Sequence, residues 1–564
     1  GLKRAISEEA EGGDAEVRGY ADELNKRIDF AISPNISVWS KRMTSGAFFM
    51  TLGFNVSSAV VNLTQVPLVV TPYLGGKYGF SDATKAIGKA YRLYATSGAT
   101  RDLEPYVTLP SGQKTKVKSM PSLDNIDFSK NKDLAHYAEL VEVGRDLGQF
   151  NRSQVYDILD VNPDDPMQTK INAASGWVFH QGERLNRQVS MIAAYDLELA
   201  KMKKDGRTID AEARKEAAYE AVKVTELTNG GVSAAAAPRI AQNSITKVLF
   251  MYKRYGISMY YMLFKTARDM LKHEDAAVRK AAKKQIAGIY LSAGLMAGVK
   301  GVPLYGAAAM IFNMFRDDDE DKADELMRKW LGELKFRGVL NAATGMEIGG
   351  RIGLGDLIFR DQGYNKQDQT TAQQLMQWAG GPALGVADRF ERGAKLFMDG
   401  QPMRGMEQML PSSIGNALKA YRYATEGTKT LRGDPITGEV SPMQVGAQLF
   451  GFAPADYIRQ LEENAAIKRI QRTIGEDKTK ILGKFYMAVM EGDKGELESV
   501  LKDLDKYNSK YPENAITVDT LEKSMRSHLT TSALMHHGVS IDKNLYARMM
   551  QNAQEYETGI SLFQ

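Results

Sequence analysis

Basic and aromatic side chains alternate between residues 246 and 284, and these residue types could bind a polyanion. The segment holds ten Lys or Arg residues against three acidic ones. Its candidate nucleic-acid or lipid contacts are Lys247, Lys253, Arg254, Lys265 and Arg268. Aromatic rings beside cations suit nucleic acid or anionic lipid. The rings also recur at the spacing of a helix core, so we favour an amphipathic helix whose basic face is solvated.

The next thirty residues, Ile286–Phe315, carry a single charge, Lys300, and could contact a membrane. The arms on either side of Lys300-Gly301 have 14 residues each. A helix of that length reaches about 21 Å, less than the roughly 30 Å hydrocarbon core of a bilayer. The segment is therefore either a shallow hairpin that turns at residues 300–303 or one bent span. The alternative is a hairpin buried in a soluble assembly, which is the commoner role of such short apolar runs.

Candidate membrane-contact residues lie on both arms of this apolar segment. They are Ile286, Gly294, Gly298, Leu304, Ile311 and Phe315. The two glycines form a G-x-x-x-G pair, a spacing that permits two helices to pack closely. Lys283 and Lys284 precede the segment, where positive charge suits anionic headgroups, and the acids that follow it would resist burial in lipid.

The acidic run after the apolar segment is a weak candidate for a metal site. Residues 316–325 contain seven carboxylates, but they lack the spaced ligands and turn glycine of a calcium-binding loop. We expect a solvated cap that balances the basic stretch before it. The sequence contains no nucleophile-elbow, phosphate-loop or zinc-protease motif, and its six histidines are dispersed except for one adjacent pair. We therefore predict a non-enzymatic protein with no catalytic residue, metal or cofactor.

Composition limits the function further. The chain has 564 residues, 43% of them hydrophobic, a net charge of +4 and no cysteine. The absence of cysteine excludes disulfides, thiolate nucleophiles and cysteine-ligated metal sites. The small net charge gives no global argument for a polyanionic partner. The chain begins with Gly1, so we expect it to be processed or to be a segment of a longer protein.

Helical periodicity dominates the chain and predicts an all-α, extended, multi-segment fold. Residues 183–228 combine apolar residues at helical spacing with Ala, Glu and Lys, and Asn229-Gly230-Gly231 should end this helix. One small β-hairpin is predicted near residues 106–118. Residues 340–450 are rich in turn signals such as Gly380-Gly381-Pro382, which predict short helices joined by loops.

Changes in composition divide the chain into five segments. These are an N-terminal helical segment (1–135), a central helical region (136–285), the apolar hairpin with its acidic cap (286–325), a glycine-rich region (326–454) and a C-terminal helical domain (455–564). Within the first segment, Met43–Gly76 contains no charged residue but carries polar side chains and two prolines. A bilayer would penalise those polar groups, so we predict a buried interface helix within a homo-oligomer.

Several sequence pieces, taken in order, resemble one protein family. They are Glu183-Arg-Leu-Asn-Arg-Gln-Val-Ser-Met-Ile-Ala-Ala-Tyr195, Lys247-Val-Leu-Phe-Met-Tyr-Lys-Arg-Tyr255, Leu410-Pro-Ser-Ser-Ile-Gly-Asn-Ala-Leu-Lys-Ala-Tyr-Arg-Tyr423, Gly433-Asp-Pro-Ile-Thr-Gly438, Leu449-Phe-Gly-Phe-Ala-Pro454 and Ile516-Thr-Val-Asp-Thr-Leu-Glu-Lys-Ser524. Their order resembles the C-terminal region of the large internal virion proteins of short-tailed bacteriophages, and is similar to large polyvalent proteins of mobile elements. The resemblance covers residues 170–540.

This resemblance implies a structural core or ejection protein. Such a protein lies inside the capsid, stacked on the portal, and then forms part of a conduit that delivers DNA across the host envelope. The implied partners are further copies of itself, other internal virion proteins, the portal, phage DNA bound weakly and without sequence preference, and the host inner membrane after ejection. The resemblance implies no catalytic residue. The alternative function is a co-injected DNA-binding or antirestriction effector.

Overall fold

The fold is all-α, as the periodicity predicts. The computed structural model describes residues 13–32, 37–97, 121–150, 166–231, 243–316, 320–355 and 371–533, together with a few residues outside these ranges. Two short antiparallel strand pairs accompany the helices. β1 (Tyr106–Thr108) pairs with β2 (Lys114–Lys116), where the sequence predicts a hairpin, and β3 (Met535–His536) pairs with β4 (Val539–Ser540).

The helices before residue 231 make up the first half of the fold. They are α1 (Ala15–Ile32), α2 (Val38–Thr51), α3 (Val56–Leu63), α4 (Thr71–Tyr78), α5 (Phe80–Ser97), α6 (Ala138–Asp146), α7 (Pro166–Lys204) and α8 (Ala211–Asn229). The helix predicted over 183–228 is interrupted, because Gly206 adopts φ +82 and Asp210 caps a new helix by accepting from the Ala213 amide at 2.8 Å. Gly230, with φ +77, follows α8 as predicted.

The second half of the chain begins with one short helix and two long ones, and it ends with three long helices. Its helices are α9 (Ser244–Leu249), α10 (Lys253–Lys272), α11 (Ala276–Ala297), α12 (Tyr305–Met314), α13 (Ala323–Arg337), α14 (Val339–Thr344), α15 (Gly349–Ile352), α16 (Thr371–Met398), α17 (Pro402–Met409), α18 (Ser412–Thr425), α19 (Pro442–Leu449), α20 (Ala455–Glu491), α21 (Lys494–Lys510) and α22 (Val518–Ala533). Gly380-Gly381-Pro382 lies inside the 28-residue α16, so the break predicted there is wrong. Helix-forming residues on both sides outweigh these three.

The chain divides into two compact units. The first comprises residues 1–315 and 322–462, and the second comprises residues 316–321 and 463–564. In the second unit, Ile481, Val500, Leu504 and Tyr507 form a small core with Ile516. The Asn508 side chain fixes Ile516 by accepting from its amide at 2.6 Å and donating to its carbonyl at 3.1 Å.

Two large cores and a small cluster of Ala47, Phe48 and Met251 stabilise the first unit. In the first, α7 packs against α3, α5 and α8, and its Val189, Ile192 and Tyr195 are fully buried. In the second, α10 and α11 pack against each other and bury Met262 and Ile289. Each such side chain contributes roughly 1.5–3 kcal/mol on leaving water. The second core positions α10 and α11, on which most of the candidate basic and membrane contacts before residue 300 lie.

The uncharged stretch Met43–Gly76 runs through both cores. Val66, Val70 and Leu74 are buried in the first core, and Leu68 and Val69 are buried in the second. Residues 66–76 are therefore buried mainly inside the chain itself and not against a partner surface. The partner interface predicted for this stretch stays a prediction only for its exposed part, which includes Met43, Phe54 and Val60.

Candidate functional site

The apolar segment 286–315 forms the second half of α11, a turn, and α12. The turn consists of a 3-10 turn at Val299–Gly301 followed by Pro303 and Leu304, so the predicted turn at 300–303 is confirmed. Leu304 adopts the left-handed region with φ +66, which costs a non-glycine residue roughly 1–2 kcal/mol. Among the described helices, α12 packs mainly on α13 and on this turn. The two arms are therefore not a hairpin of paired helices.

The first arm is half core and half surface. Ile289, Ala293 and Ala297 are fully buried in the second core, as the soluble alternative predicts. On the opposite face of α11, Leu291 and Leu295 are 65% and 56% exposed. The buried face of the first arm therefore anchors the apolar segment to the rest of the fold, and its opposite face exposes an apolar stripe.

The second arm is almost entirely surface. None of the side chains of α12 is buried. Met310, Ile311, Phe312, Met314 and Phe315 are between 41% and 84% exposed. Contiguous apolar side chains left in water on this scale mark a contact site for a membrane or another protein. The second arm is thus the strongest candidate for a functional surface among the described residues.

The six predicted membrane contacts divide between these environments. Ile286 and Gly294 are half-buried and Gly298 is buried, whereas Leu304, Ile311 and Phe315 are exposed. The glycine pair does not form a helix-packing face. A Cβ on Gly298 would lie 2.2 Å from the Phe336 carbonyl oxygen, and its φ of +71 ends α11. A Cβ on Gly294 would meet only the Val302 side chain at 3.7 Å. Within one chain the pair therefore does not join two helices, and packing between copies through it stays a prediction.

The single charge of the apolar segment is neutralised at its turn. The Lys300 ammonium lies 2.9 Å from Asp324 and 3.6 Å from Glu462. Asp324 also accepts a hydrogen bond from the Tyr305 hydroxyl at 2.8 Å. Burial alone would lower the pKa of Lys300, but the two carboxylates outweigh burial and raise it. The sequence predicts that the acidic run is a solvated cap. Asp324 belongs to this run, but it forms an ion pair with Lys300.

Glu462 is the centre of a wider ion-pair cluster. It bonds to the guanidinium groups of Arg328 and Arg337, and Arg337 also bonds to Glu347. Burial would raise the pKa of Glu462, but the charges of Lys300, Arg337 and Arg328 outweigh it and lower the pKa to about 2. Nothing in the sequence near any one of these residues predicts the cluster. It fixes the turn of the apolar segment to α13 and to the start of α20.

The predicted basic contacts also separate into two groups. Lys247 is half-buried, Lys253 lies over the Phe250 ring at 5.4 Å, and Arg254 donates to the Gly231 carbonyl at 3.1 Å. Burial lowers the pKa of Lys253. By contrast, Arg268 is exposed on α10, and Lys265 is half-buried like Lys247. Lys253 and Arg254 therefore contact the protein itself, whereas Arg268 faces outward.

Two of the sequence pieces that carry the family resemblance meet at the end of α8. Arg187, which is 1% exposed, donates to the Gly230 carbonyl at 2.6 Å. Arg254 donates to the next carbonyl, that of Gly231. Cations suit the carbonyl-rich C-terminus of a helix. These arginines therefore have a structural role, which the sequence pieces alone do not indicate.

Comparison of the chain with protein-family models, curated proteins and solved structures finds no match. By length and composition, no single described helix is long and apolar enough to cross a membrane, while α2 and Val56–Tyr78, bent by 89°, pass that test as a pair. Much of the second member of this pair is core. Within the described residues, no group of three or more His or carboxylate side chains is arranged to hold a metal ion.

Proposed function

We propose that this chain is a structural internal virion protein of a tailed bacteriophage, part of the core stacked on the portal and of the conduit that delivers DNA across the host envelope. The ordered sequence pieces between residues 170 and 540 support the assignment to the virion. The exposed second arm, α12 with Phe315, supports membrane contact after ejection. That arm is the single structural observation that carries the proposal.

The size of the exposed arm suits shallow insertion. α12 has ten residues and is therefore about 15 Å long, the depth of about one leaflet. Fully burying a large apolar side chain gains roughly 1.5–3 kcal/mol, so five partly exposed ones gain on the order of 5 kcal/mol. One arm would bind reversibly, and several arms in an oligomer would bind stably. This is why the proposal includes a homo-oligomer.

The charges at the turn are consistent with an arm that enters lipid while the turn before it stays outside the lipid. The Lys300 ammonium is paired with Asp324 and Glu462 within the fold, and the arm beyond it carries no charged residue from Val302 to Phe315. The acids that begin at Asp317 would stop deeper entry, because ionised carboxylates are costly in hydrocarbon. The arm therefore has a defined apolar length between two charged boundaries.

The rival function, a co-injected DNA-binding effector, has less support. Lys253 and Arg254, two of the five predicted contact cations, are engaged by the protein's own ring and carbonyl groups. The remaining predicted contacts, Lys247, Lys265 and Arg268, would neutralise few phosphates by themselves, and affinity for DNA rises with the number of phosphates neutralised. We therefore place weak, non-specific DNA contact second.

Dye release from anionic vesicles tests membrane contact. Leu295→Asp with Ile311→Asp places two charges on side chains that are 56% and 55% exposed, so the fold should tolerate both changes. We expect the unmodified chain to release dye and the double variant to lose release while keeping its helical circular dichroism signal.

Leu431→Asp with Ile467→Asp is the matched control, because these side chains are 55% and 54% exposed elsewhere in the chain. It should release dye like the unmodified chain. If the unmodified chain oligomerises and still releases no dye, or if both double variants behave alike, the arm is a protein-contact surface and the membrane proposal fails.

A further inference from the structure

The outer face of α10 is an unusual mixture of apolar and basic side chains. Tyr261, Phe264, Lys265, Arg268 and Leu271 lie at helical offsets of 0, 3, 4, 7 and 10 positions, which place them on one stripe. Tyr261, Phe264 and Leu271 are 64%, 62% and 71% exposed. Helical spacing alone favours the core for these rings, but the core is filled by Met259, Tyr260, Met262 and Leu263 instead.

We infer that this outer face of α10 binds the headgroup region of anionic phospholipids, a contact separate from insertion of the second arm. The inference rests on the proposed function, since it identifies the kind of membrane that the protein meets. Exposed aromatic and leucine side chains enter the interface between headgroups and acyl chains, and Lys or Arg beside them pairs with phosphate. The outer face supplies both groups within one helix.

The charge of this region is complementary to anionic lipid. Lys265, Arg268 and Lys272 project from the exposed or half-exposed side of α10. The acids on the same helical hairpin are Asp269, which is half-buried, and Glu274 and Asp275, which lie in the connection to α11. Lys280, Lys283 and Lys284 then add exposed positive charge on α11. The two helices together therefore carry a net positive exposed surface.

The outer stripe of α11 indicates lipid and not nucleic acid as the partner. Lys284, Ala287, Leu291 and Leu295 recur at spacings of three and four positions and are all exposed. Along the helix the exposed side chains of this stripe change from basic to apolar over about 16 Å, which is close to the thickness of one leaflet. A nucleic acid would offer no apolar environment to the exposed leucines at the apolar end of this stripe. A bilayer matches both ends, with Lys284 at headgroup depth.

Vesicle flotation with the full chain tests this surface. Lys265→Gln with Arg268→Gln should weaken binding to vesicles of phosphatidylglycerol and phosphatidylcholine about twenty-five-fold, because each basic residue at an anionic surface contributes about fivefold. Binding to pure phosphatidylcholine should be weak and unchanged. The charge-matched control is Lys494→Gln with Lys506→Gln, two exposed lysines of the second unit, and it should bind like the unmodified chain.

A site-specific probe gives a second readout. Because the chain has no cysteine, Phe264→Cys can be labelled alone with an environment-sensitive fluorophore. We expect its emission to shift to the blue with anionic vesicles and to stay unchanged with duplex DNA.

The outcomes separate this inference from the proposed function. If the charge-neutral variant floats like the unmodified chain, or if the probe stays in water on vesicles that release dye, this inference is overturned while membrane contact by the second arm stands. If the variant loses affinity only for DNA, the outer face is a nucleic-acid surface and the inference is again overturned. Anionic-specific flotation without dye release would support the inference and count against insertion of the arm.

Discussion

Replacing Glu462 by glutamine removes the negative centre of the cluster that holds the turn of the apolar segment. Lys300, Arg328 and Arg337 would then share fewer carboxylates, although the side chain keeps its size. The cations lower the pKa of Glu462 from 4.5 to about 2. Since a tenfold change in an equilibrium constant is about 1.4 kcal/mol, they stabilise the carboxylate by roughly 3 kcal/mol. Breaking a buried ion pair from one side costs roughly 3–5 kcal/mol. We therefore expect Glu462→Gln to lower the free energy of unfolding by roughly 3 kcal/mol.

Urea unfolding followed by tryptophan fluorescence measures this change in one unit. All four tryptophans, Trp39, Trp177, Trp330 and Trp378, belong to the first unit, so the signal reports its unfolding. Glu426→Gln is the control, because Glu426 is an exposed carboxylate of the same unit and should change stability by less than about 0.5 kcal/mol. Equal midpoints for the two variants would refute the role given to the cluster.

The same carboxylate gives the protein a defined response to acid. Its pKa is lower in the folded chain than in the unfolded one, so its contribution is complete above pH 4.5 and is lost as the pH falls towards 2. The stability of the first unit should therefore fall more steeply over this range in the unmodified chain than in Glu462→Gln. Parallel pH profiles would contradict the assignment.

Two further predictions concern backbone packing and assembly. Gly298→Ala should destabilise the first unit by several kcal/mol, on the order of 3, because its Cβ meets the Phe336 carbonyl and its φ is positive. Gly294→Ala, whose Cβ would make only an ordinary contact with Val302, should be neutral or stabilise by up to about 1 kcal/mol. Similar midpoints of the two variants in thermal unfolding would contradict this difference. Val60→Asp, at a side chain 41% exposed on the uncharged stretch, should convert an oligomer to monomer in light scattering, and an unchanged mass would remove that stretch from the interface.

The sequence predicts well those features that depend on local chemistry. Helical periodicity indicates the fold class, Gly230 ends α8, and residues 300–303 form the turn of the apolar segment, because each depends on a few neighbouring residues. The sequence does not predict the break at Gly206 or the continuity of α16, because helix-forming and helix-breaking residues compete in both places.

Features that depend on distant residues could not be predicted in this way. The pairing of Arg337 with Glu462 joins positions 125 residues apart. The rings of α10 could be assigned to core or surface only once Leu68, Ile289 and Ala293 were known to fill the core. Gly294 and Gly298 match a packing motif in spacing, but the end of α11 at Gly298 changes what the second glycine contacts.

We propose above all that this chain leaves a phage particle when its DNA is ejected. Quantitative mass spectrometry of purified particles, before and after DNA ejection is triggered, tests that claim most directly. We expect peptides of this chain to be present in full particles and lost from emptied ones, while portal and capsid peptides stay constant. Full retention in emptied particles would make the chain a fixed tail or portal component, and absence from full particles would exclude it from the virion.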